Sequence, residues 1–299
     1  MITSPAVARP DWLPKSVWPF EIHALDVDDA TVAYTDVGEG PTMLFSHAGQ
    51  WSFIWRDLIA ELSGQYRCVT FDPPGAGLSQ RAGSPRLDTV RDTIGTLIDH
   101  LDLRAITLVM HDLGGVTALA AAADRPDRVA GLAAVNTFGW RPAGLLRGML
   151  AVVGSAWMRE LDAWTRLLPG AATTRLGMGK NLDRPSRRAF RRGLDRDAIR
   201  TMHHLFASAR TSPQVYRDAE RALQTELRSV PLLTVFGAWS DYFGFQAQWK
   251  QRFPDARQVR AGRYHFPMAD DPEHVAAAIR SWHTELVAVH TSPHRRLAL

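Results

Sequence analysis

The stretch Ile106-Thr-Leu-Val-Met-His-Asp-Leu-Gly-Gly115, continued by Val116 to Ala123, decides how the chain is read. Residues 106–110 form a short, mostly apolar run that suits a strand buried on both faces of a parallel sheet. After Asp112 the composition switches to Gly-Gly and then to an Ala-rich segment, which suits a helix ending near Asp124-Arg125-Pro126. Asp112 therefore falls at the tip of a strand-to-helix turn. A serine at such a tip makes acyl-enzymes from esters and amides. A carboxylate instead attacks an sp³ carbon bearing a leaving group and forms an alkyl ester, which water activated by a histidine must hydrolyse. The competing use of an Asp at this place is to cap the helix that follows.

A chain of 299 residues with 45% hydrophobic content can build one large core, commonly a single α/β domain with an insertion. Its one cysteine, Cys68, lies in an apolar strand-like run, which excludes a disulfide framework and a Cys-rich metal site. No apolar segment of signal-peptide length follows a basic start, and the longest apolar stretches fall short of a membrane span. A cytoplasmic enzyme with no membrane partner is expected. The net charge of +4 is modest and its arginines concentrate at Arg184 to Arg200, so no nucleic-acid partner is inferred. The run Arg184-Pro-Ser-Arg-Arg-Ala-Phe-Arg-Arg192 reads as a solvated helix face.

Working outward, residues 1–19 hold four prolines and two tryptophans, the composition of an extended strap. Phe20 to Val27 and Thr31 to Val37 alternate around Asp28-Asp29 as an antiparallel pair at a sheet edge. Thr42 to Ser46 is a third strand that runs into His47-Ala-Gly-Gln50; a helix over Trp55 to Leu62 and a strand over Tyr66 to Phe71 follow. The loop Asp72-Pro-Pro-Gly-Ala-Gly-Leu-Ser79 is a turn and no phosphate cradle, since it lacks the Lys and Ser/Thr of a P-loop. A helix at roughly 87–101 leads back to the Asp112 strand.

Beyond Asp112, a strand over Val129 to Val135 reaches Asn136, and there the alternation stops. Residues 141–228 contain no convincing strand, are rich in Arg, Ala, Leu and Trp, and read as an inserted helical cap. The expected division is a core of 1–140 and 229–299 with a cap of 141–228. The alternation resumes with Pro231 to Phe236, a helix near Phe245 to Phe253, a strand near Arg257 to Arg260, and a last helix from Pro272 to about Val289 with a polar tail. Alternating strands and helices imply a mostly parallel, doubly wound sheet, which binds ligands at the carboxyl ends of its strands. Asp112, Asp241 and His265 all follow strands, in the chain order nucleophile, acid, histidine.

Taken together, Trp55-Arg-Asp57, Phe71-Asp-Pro-Pro-Gly-Ala-Gly-Leu-Ser79, His111-Asp-Leu-Gly-Gly115, Asn136-Thr-Phe138, Val235-Phe-Gly237 with Asp241, and His265-Phe-Pro-Met-Ala-Asp-Asp-Pro272 resemble the haloalkane dehalogenase and epoxide hydrolase branch of the α/β-hydrolases. The resemblance covers nearly the whole length, and dehalogenase-like proteins are the nearer match. It implies an α/β-hydrolase fold with a mostly parallel eight-stranded sheet. It also implies that Asp112 attacks an electrophilic carbon while the backbone N–H groups of Leu113 and Gly49 stabilise nearby charge. His265 then activates water, oriented by an acid that in this family follows either the sixth or the seventh strand. The sixth strand ends at Asn136, which carries no charge, so the role passes to Asp241. No metal or organic cofactor is implied; the partners are a small apolar organic substrate and water.

Two departures bear on the substrate. Dehalogenases of this branch hold the leaving halide with a Trp directly after the nucleophile and a second Trp or Asn, whereas here Leu113 stands in the first place. The family's His-Gly-x-Pro loop is altered to His47-Ala-Gly-Gln50, in which Gln50 offers an amide and Trp51 follows at once. A fluoroacetate dehalogenase would place arginines near the nucleophile, where Leu113 and Val116 stand. An epoxide hydrolase uses two cap tyrosines, and the insertion has only Tyr216, with His203 and His204 read as solvated. Trp140, Trp157 and Trp164 either line an apolar pocket or pack the cap on the sheet. His47 and His111 are read as structural. Carbon–halogen hydrolysis is the first reading, epoxide hydrolysis with the same triad the second, and a non-hydrolytic, cyclase-like or ligand-binding member of a biosynthetic pathway the third.

Overall fold

In the computed structural model, which describes residues 7–80 and 83–291 with side chains up to residue 286, a single sheet is built from eight strands. Two of them, β1 (His23–Val27) and β2 (Ala30–Val37), form an antiparallel hairpin that turns at Asp28, a left-handed residue with φ of 53°. The first strand starts three residues later than the alternation from Phe20 suggests: Phe20 and Ile22 are buried under the strap instead of joining the ladder. The other six are β3 (Thr42–Ser46), β4 (Arg67–Phe71), β5 (Ile106–Asp112), β6 (Val129–Thr137), β7 (Leu232–Phe236) and β8 (Arg257–Arg260). The spatial order is β1-β2-β4-β3-β5-β6-β7-β8, antiparallel as far as β4 and parallel from there on.

Burial on both faces explains the apolar runs. Leu44 and Leu108 face one core together with Met110, whereas Met43, Phe45 and Val109 face the other, following the two-residue period of a strand. Each such fully buried side chain contributes roughly 1.5–3 kcal/mol relative to an exposed one. The first core is covered by α2 (Leu87–His100) and α3 (Gly114–Ala122), and the second by α1 (Arg56–Leu62). Cys68 sits in the second core at 0% exposure, and burial pushes its thiol up to about 12. The described part of the strap lies on the same side without becoming a helix: Trp18 stacks on Trp51, Trp12 meets Trp51 edge-on, and the Arg9 guanidinium donates to the carbonyls of Trp18 and Phe20. Residues 1–6 of the strap and the tail beyond 291 lie outside the described residues.

Between β6 and β7 come six helices and no strand among the described residues: α4 (Gly144–Val153), α5 (Ala156–Thr165), α6 (Leu167–Ala172), α7 (Arg184–Gly193), α8 (Arg196–Ser208) and α9 (Pro213–Gln224). Helix α9 seats the insertion on α3, where Val215, Ala219 and Ala222 join the first core. Inside the insertion His203 on α8 is fully buried. Its Nε2 lies 2.9 Å from Asp162 Oδ2 and its Nδ1 meets the Val153 carbonyl, while Asp162 Oδ1 accepts the Leu168 N–H at 2.9 Å. The expectation of solvated histidines is corrected for His203, whose position on the inward face of an Arg-rich helix the residue type alone did not disclose. After β7 the chain adds α10 (Phe245–Arg252), the single turn α11 (Pro267–Asp270) and α12 (Pro272–Thr291), which closes the second core. Among the described residues no helix is long and apolar enough to cross a membrane.

Candidate active site

The end of β5 is built so that one carboxylate stands clear of the sheet. Asp112 has φ of 51°, a left-handed conformation that costs a non-glycine residue on the order of 1 kcal/mol and persists only when its surroundings enforce it. The enforcement is close packing. A Cβ on Gly114 would lie 2.4 Å from the His47 Cα, and one on Gly115 would lie 2.1 Å from the Thr137 Oγ1, so only glycines allow α3 to start between the ends of β3 and β6. The Ser46 hydroxyl donates to the Gly114 carbonyl at 2.8 Å and the Thr137 hydroxyl to the Asp112 carbonyl at 2.5 Å, fixing the turn on both sides.

Asp112 Oδ1 accepts the backbone N–H of Leu113 at 2.6 Å, and Asp112 Oδ2 lies 3.1 Å from His265 Nε2. Burial works most strongly on this carboxyl, towards protonation. The hydrogen bond and electrostatic pull of His265, a smaller pull from the His111 ring and the Leu113 N–H outweigh it and hold the pKa below the ordinary carboxylate range. Asp112 is thus an anion in contact with the one imidazole positioned to accept a proton.

His265 is positioned through its own backbone. Its carbonyl accepts both His111 Nε2–H at 2.9 Å and Asn136 Nδ2–H at 2.9 Å, and the His111 ring lies 4.6 Å from the His265 ring. Because His111 Nε2 faces a carbonyl it must carry the proton, which leaves Nδ1 buried and unpartnered. Burial, reinforced by the neighbouring His265 charge, pushes the His111 pKa down to about 3; burial does the same to His47, whose Nδ1 accepts the Trp55 indole N–H at 3.2 Å. Both act as neutral scaffold. Asn136 is the residue that reading by charge passed over. The register of β5 on β6 steps from His111–Val135 to Asp112–Thr137, so Asn136 is an extra residue with φ of 44°. Its amide also donates to the Tyr264 carbonyl and the Ser240 hydroxyl, and its Oδ1 accepts the Gly237 N–H at 3.1 Å.

Asp241 does not meet His265. Its Oδ1 accepts the Phe245 N–H at 2.6 Å, its Oδ2 accepts the Gln246 N–H at 3.2 Å, and Arg260 approaches the same oxygen at 3.5 Å. The carboxylate serves the exposed amides at the start of α10, where a helix dipole favours an anion. The expected acid of the triad is therefore corrected to a helix-capping position in this structure, and among the described residues no carboxylate contacts His265 other than that of Asp112.

Asp112 and His265 open onto a cavity of about 370 Å³. Its walls are mainly apolar, with Phe138, Phe206, Phe243 and Phe245 prominent; Leu146, Leu150 and Leu168 come from the helical insertion. The side-chain hydroxyls on its wall belong to Ser240, Tyr242 and Tyr264. The sequence pointed to none of these three, since Ser and Tyr in a loop carry no spacing signal.

Several expected pocket residues lie elsewhere. Trp51 is fully buried against Trp12, Trp18 and Phe53, with its indole N–H unpartnered and away from the cavity. Trp140 packs edge-on against Trp249 and Phe245 under the Arg252 guanidinium, and it borders a separate hollow. Trp157 and Trp164 neither line the cavity nor pack inward, being 59% and 64% exposed. Gln50 is not on the cavity wall, and its side-chain oxygen is buried without a partner. Gly49 makes its turn at φ of 87° beneath Met202 and Phe206, with no hydrogen bond to Asp112. Tyr216 lies behind Leu150, which faces both the cavity and the small hollow that Tyr216 borders. Its hydroxyl is buried and unpartnered; burial first, and then the Asp112 charge, raise its pKa well above the usual phenol value.

The strand order, the turn at Asp112 and the inserted helices define an α/β-hydrolase fold, and the family described as alpha/beta hydrolase fold matches residues 41–182. The chain is similar to haloalkane dehalogenase 2 of Mycobacterium tuberculosis, with 38% identity over 133 residues, 44% of this chain and 46% of that protein. The match thus spans about half the length of that relative. A cis-3-alkyl-4-alkyloxetan-2-one decarboxylase of Shewanella oneidensis is 25% identical over 285 residues, 89% of both chains. In architecture, a loop variant of a haloalkane dehalogenase from Bradyrhizobium elkanii superposes with a TM-score of 0.75 at 22% identity, covering 90% of this chain and 98% of that one.

Proposed function

We propose that the chain is a hydrolase in which Asp112 forms a covalent alkyl ester with a small apolar substrate, by dehalogenase-like chemistry. The observation that carries this reading is the pairing of an anionic Asp112, held at φ of 51°, with His265 Nε2 at 3.1 Å on the wall of an apolar cavity. In the first step an Asp112 oxygen attacks the carbon, the C–O bond forms, and the bond to the leaving group breaks with its electron pair. In the second, His265 takes a proton from water and the resulting hydroxide adds to the ester carbonyl. The Leu113 N–H supports the oxyanion on Oδ1; collapse expels the alkoxide, which takes the proton from His265 and leaves as the alcohol, and the Asp112 carboxyl then loses its proton to solvent to restore the carboxylate. Exclusion of water by the phenyl walls strengthens each of these interactions.

A second reading, opening of a strained oxygen ring by the same pair, is favoured by the donors around the site. A departing halide needs N–H donors, yet the side-chain N–H groups of Trp51 and Gln50 are off the cavity and Asn136 gives its amide to Ser240 and the Tyr264 and His265 carbonyls. The hydroxyls of Ser240, Tyr242 and Tyr264 are the wall donors that suit an alkoxide. The Shewanella oneidensis relative, aligned over 89% of the chain, is named for a substrate with a four-membered oxygen ring.

The test is the intact mass of His265→Ala after incubation with small haloalkanes, epoxides and β-lactones. An alkyl group lacking halogen supports the first reading, and addition of a whole epoxide or lactone supports the second. Either adduct should vanish in His265→Ala/Asp112→Ala. A reactive chain that is labelled elsewhere, or none that is labelled at all, would sink the nucleophile assignment and favour a non-hydrolytic member.

A further inference from the structure

The rim of the cavity is apolar and faces solvent. Met149, Leu176 and Tyr242 each line the cavity and are nevertheless 44%, 69% and 80% exposed, and they come from α4, the loop after α6 and the loop after β7. A single exposed leucine needs no explanation, but three converging on one mouth do.

The exposed apolar surface continues outward from the rim. On α4 Leu145 and Val152 stand four before and three after Met149, which puts them on the same helix face. The adjoining α5 carries Trp157, Leu161 and Trp164 with the same spacing, all exposed, and Leu167 follows on α6. Across the mouth Trp239, also exposed, meets the cavity residue Tyr264 edge-on. These stripes are opposite in sense to the inward-facing ones of a helix that only covers a core: α4 buries Leu146 and Leu150 and still shows a full apolar face to water.

Charge singles out the occupant. Residues 141–228 hold seventeen Arg or Lys and eight Asp or Glu, while the rest of the chain holds eighteen and twenty-three, so the basic excess belongs entirely to the insertion. Exposed Arg147 sits on α4, Arg175 adjoins Leu176, and the Arg196 guanidinium lies 4.1 Å over the Trp164 ring. On α7, Arg187 and Arg191 bond to the segment that carries Leu176, through the Gly179 carbonyl and the Thr173 hydroxyl, which brings the Arg-rich helix beside the rim. Apolar side chains and tryptophans ringed by arginines form the pattern of a surface that lies in a bilayer interface, with rings among the headgroups and guanidinium groups on lipid phosphates.

We propose that the insertion docks peripherally on an anionic lipid surface, with the mouth of the cavity turned towards the acyl region. Such docking needs no spanning segment, so it revises the sequence-based expectation of no membrane partner without conflicting with the lack of a long apolar helix among the described residues. A substrate then passes from lipid into a phenyl-walled cavity without crossing water.

The test is co-sedimentation of the whole chain with vesicles of phosphatidylcholine alone and with about 30 mol% phosphatidylglycerol, at low salt and at about 0.5 M salt. Binding is expected to the anionic vesicles, weakened by salt, and about tenfold weaker for Leu145→Gln/Trp157→Gln/Trp164→Gln, whose side chains lie off the cavity and whose loss leaves the unfolding midpoint in place. No binding to anionic vesicles overturns the proposal, as does binding that the triple substitution leaves intact. A dimer that forms in the wild type and is lost in the triple variant, with no vesicle binding, would assign the surface to a second copy of the chain and overturn it equally.

Discussion

Asp112 and Asp241 each stand at or just beyond the carboxyl end of a buried parallel strand, yet their carboxylates meet different partners. Asp112 ends β5 in a turn where the glycines that open α3, Thr137 of β6 and Ser46 of β3 close in on the backbone, and its side chain is left facing His265 and the cavity. Asp241 comes five residues after β7 in a loop that bends back on itself, and the amides of Phe245 and Gln246 lie within reach. The difference teaches that a strand-end carboxylate becomes available for chemistry when backbone donors leave one of its oxygens free. At β5 the Leu113 N–H takes Oδ1 and leaves Oδ2 to His265; at β7 the amides of Phe245 and Gln246 take one oxygen of Asp241 each.

The largest effect should come from filling the space that makes the β5 turn possible. Gly114→Ala places a Cβ 2.4 Å from the His47 backbone, which cannot move aside. A loss on the order of 3 kcal/mol or more is expected in urea unfolding, and a change below about 1 kcal/mol would mean that the turn tolerates rearrangement.

Acid comes next. His47 and His111, both pushed down to about 3, stay neutral in the folded chain while the unfolded chain protonates them near 6.5. The unfolded state then binds more protons, so stability falls as the pH drops below about 6.5, by a few kcal/mol on the order of magnitude. Buried Asp72 opposes this. Desolvation pushes it up to about 6 against three hydrogen bonds from Ser52 and Leu78, so its contribution is lost as pH rises from about 4 to 6. The two histidines outweigh the one carboxyl, and urea midpoints at pH 7.5 and 5 should show the acid side weaker. The reverse order would mean that water reaches His47 or His111.

Asn136→Ala sharpens the comparison from the side of the base. It removes one of two donors to the His265 carbonyl and the contacts to Gly237, Ser240 and Tyr264, so turnover on any substrate found by adduct trapping should drop about a hundredfold through misplacement of the imidazole. A KM change with an unaltered kcat would speak against that positioning role. Asp241→Ala should have the smallest effect: about 1 kcal/mol of stability through the start of α10, and less than about tenfold in kcat. A drop near 10⁴-fold, the scale expected when the acid of a triad is replaced, would show that Asp241 turns to His265 in the working enzyme.

These contrasts also mark what could be read in the residues. The Asp112 turn was legible because it is local: a β-rich run, a carboxylate, two glycines and an Ala-rich helix constrain one another within eighteen residues. The mostly parallel sheet with an antiparallel pair at its edge followed from alternation, whereas the spatial order of its strands came only with the structure. Asp241 was not legible in the same way, because its competitors, the first amides of α10, become acceptor-hungry only once the helix forms. Asn136 escaped a search organised by charge, since its work is done by an amide at a bulge that appears only when β5 and β6 pair. The aromatic residues of the insertion defeated the assumption that a tryptophan faces inward; Trp157 and Trp164 do not.

The lone thiol gives the chain a clock. Cys68 is shielded on every side within β4, its pKa pushed up to about 12, and the chain offers a reagent no other sulfhydryl. Alkylation at neutral pH must wait for the sheet itself to come apart, so the labelling rate of the untouched protein reads the frequency of global opening and ignores the breathing of loops around the cavity. Substitutions at the mouth and at the Asp112 turn can therefore be sorted in a single assay: those that act on chemistry or docking leave the clock unchanged, and those that act on the scaffold make it run faster.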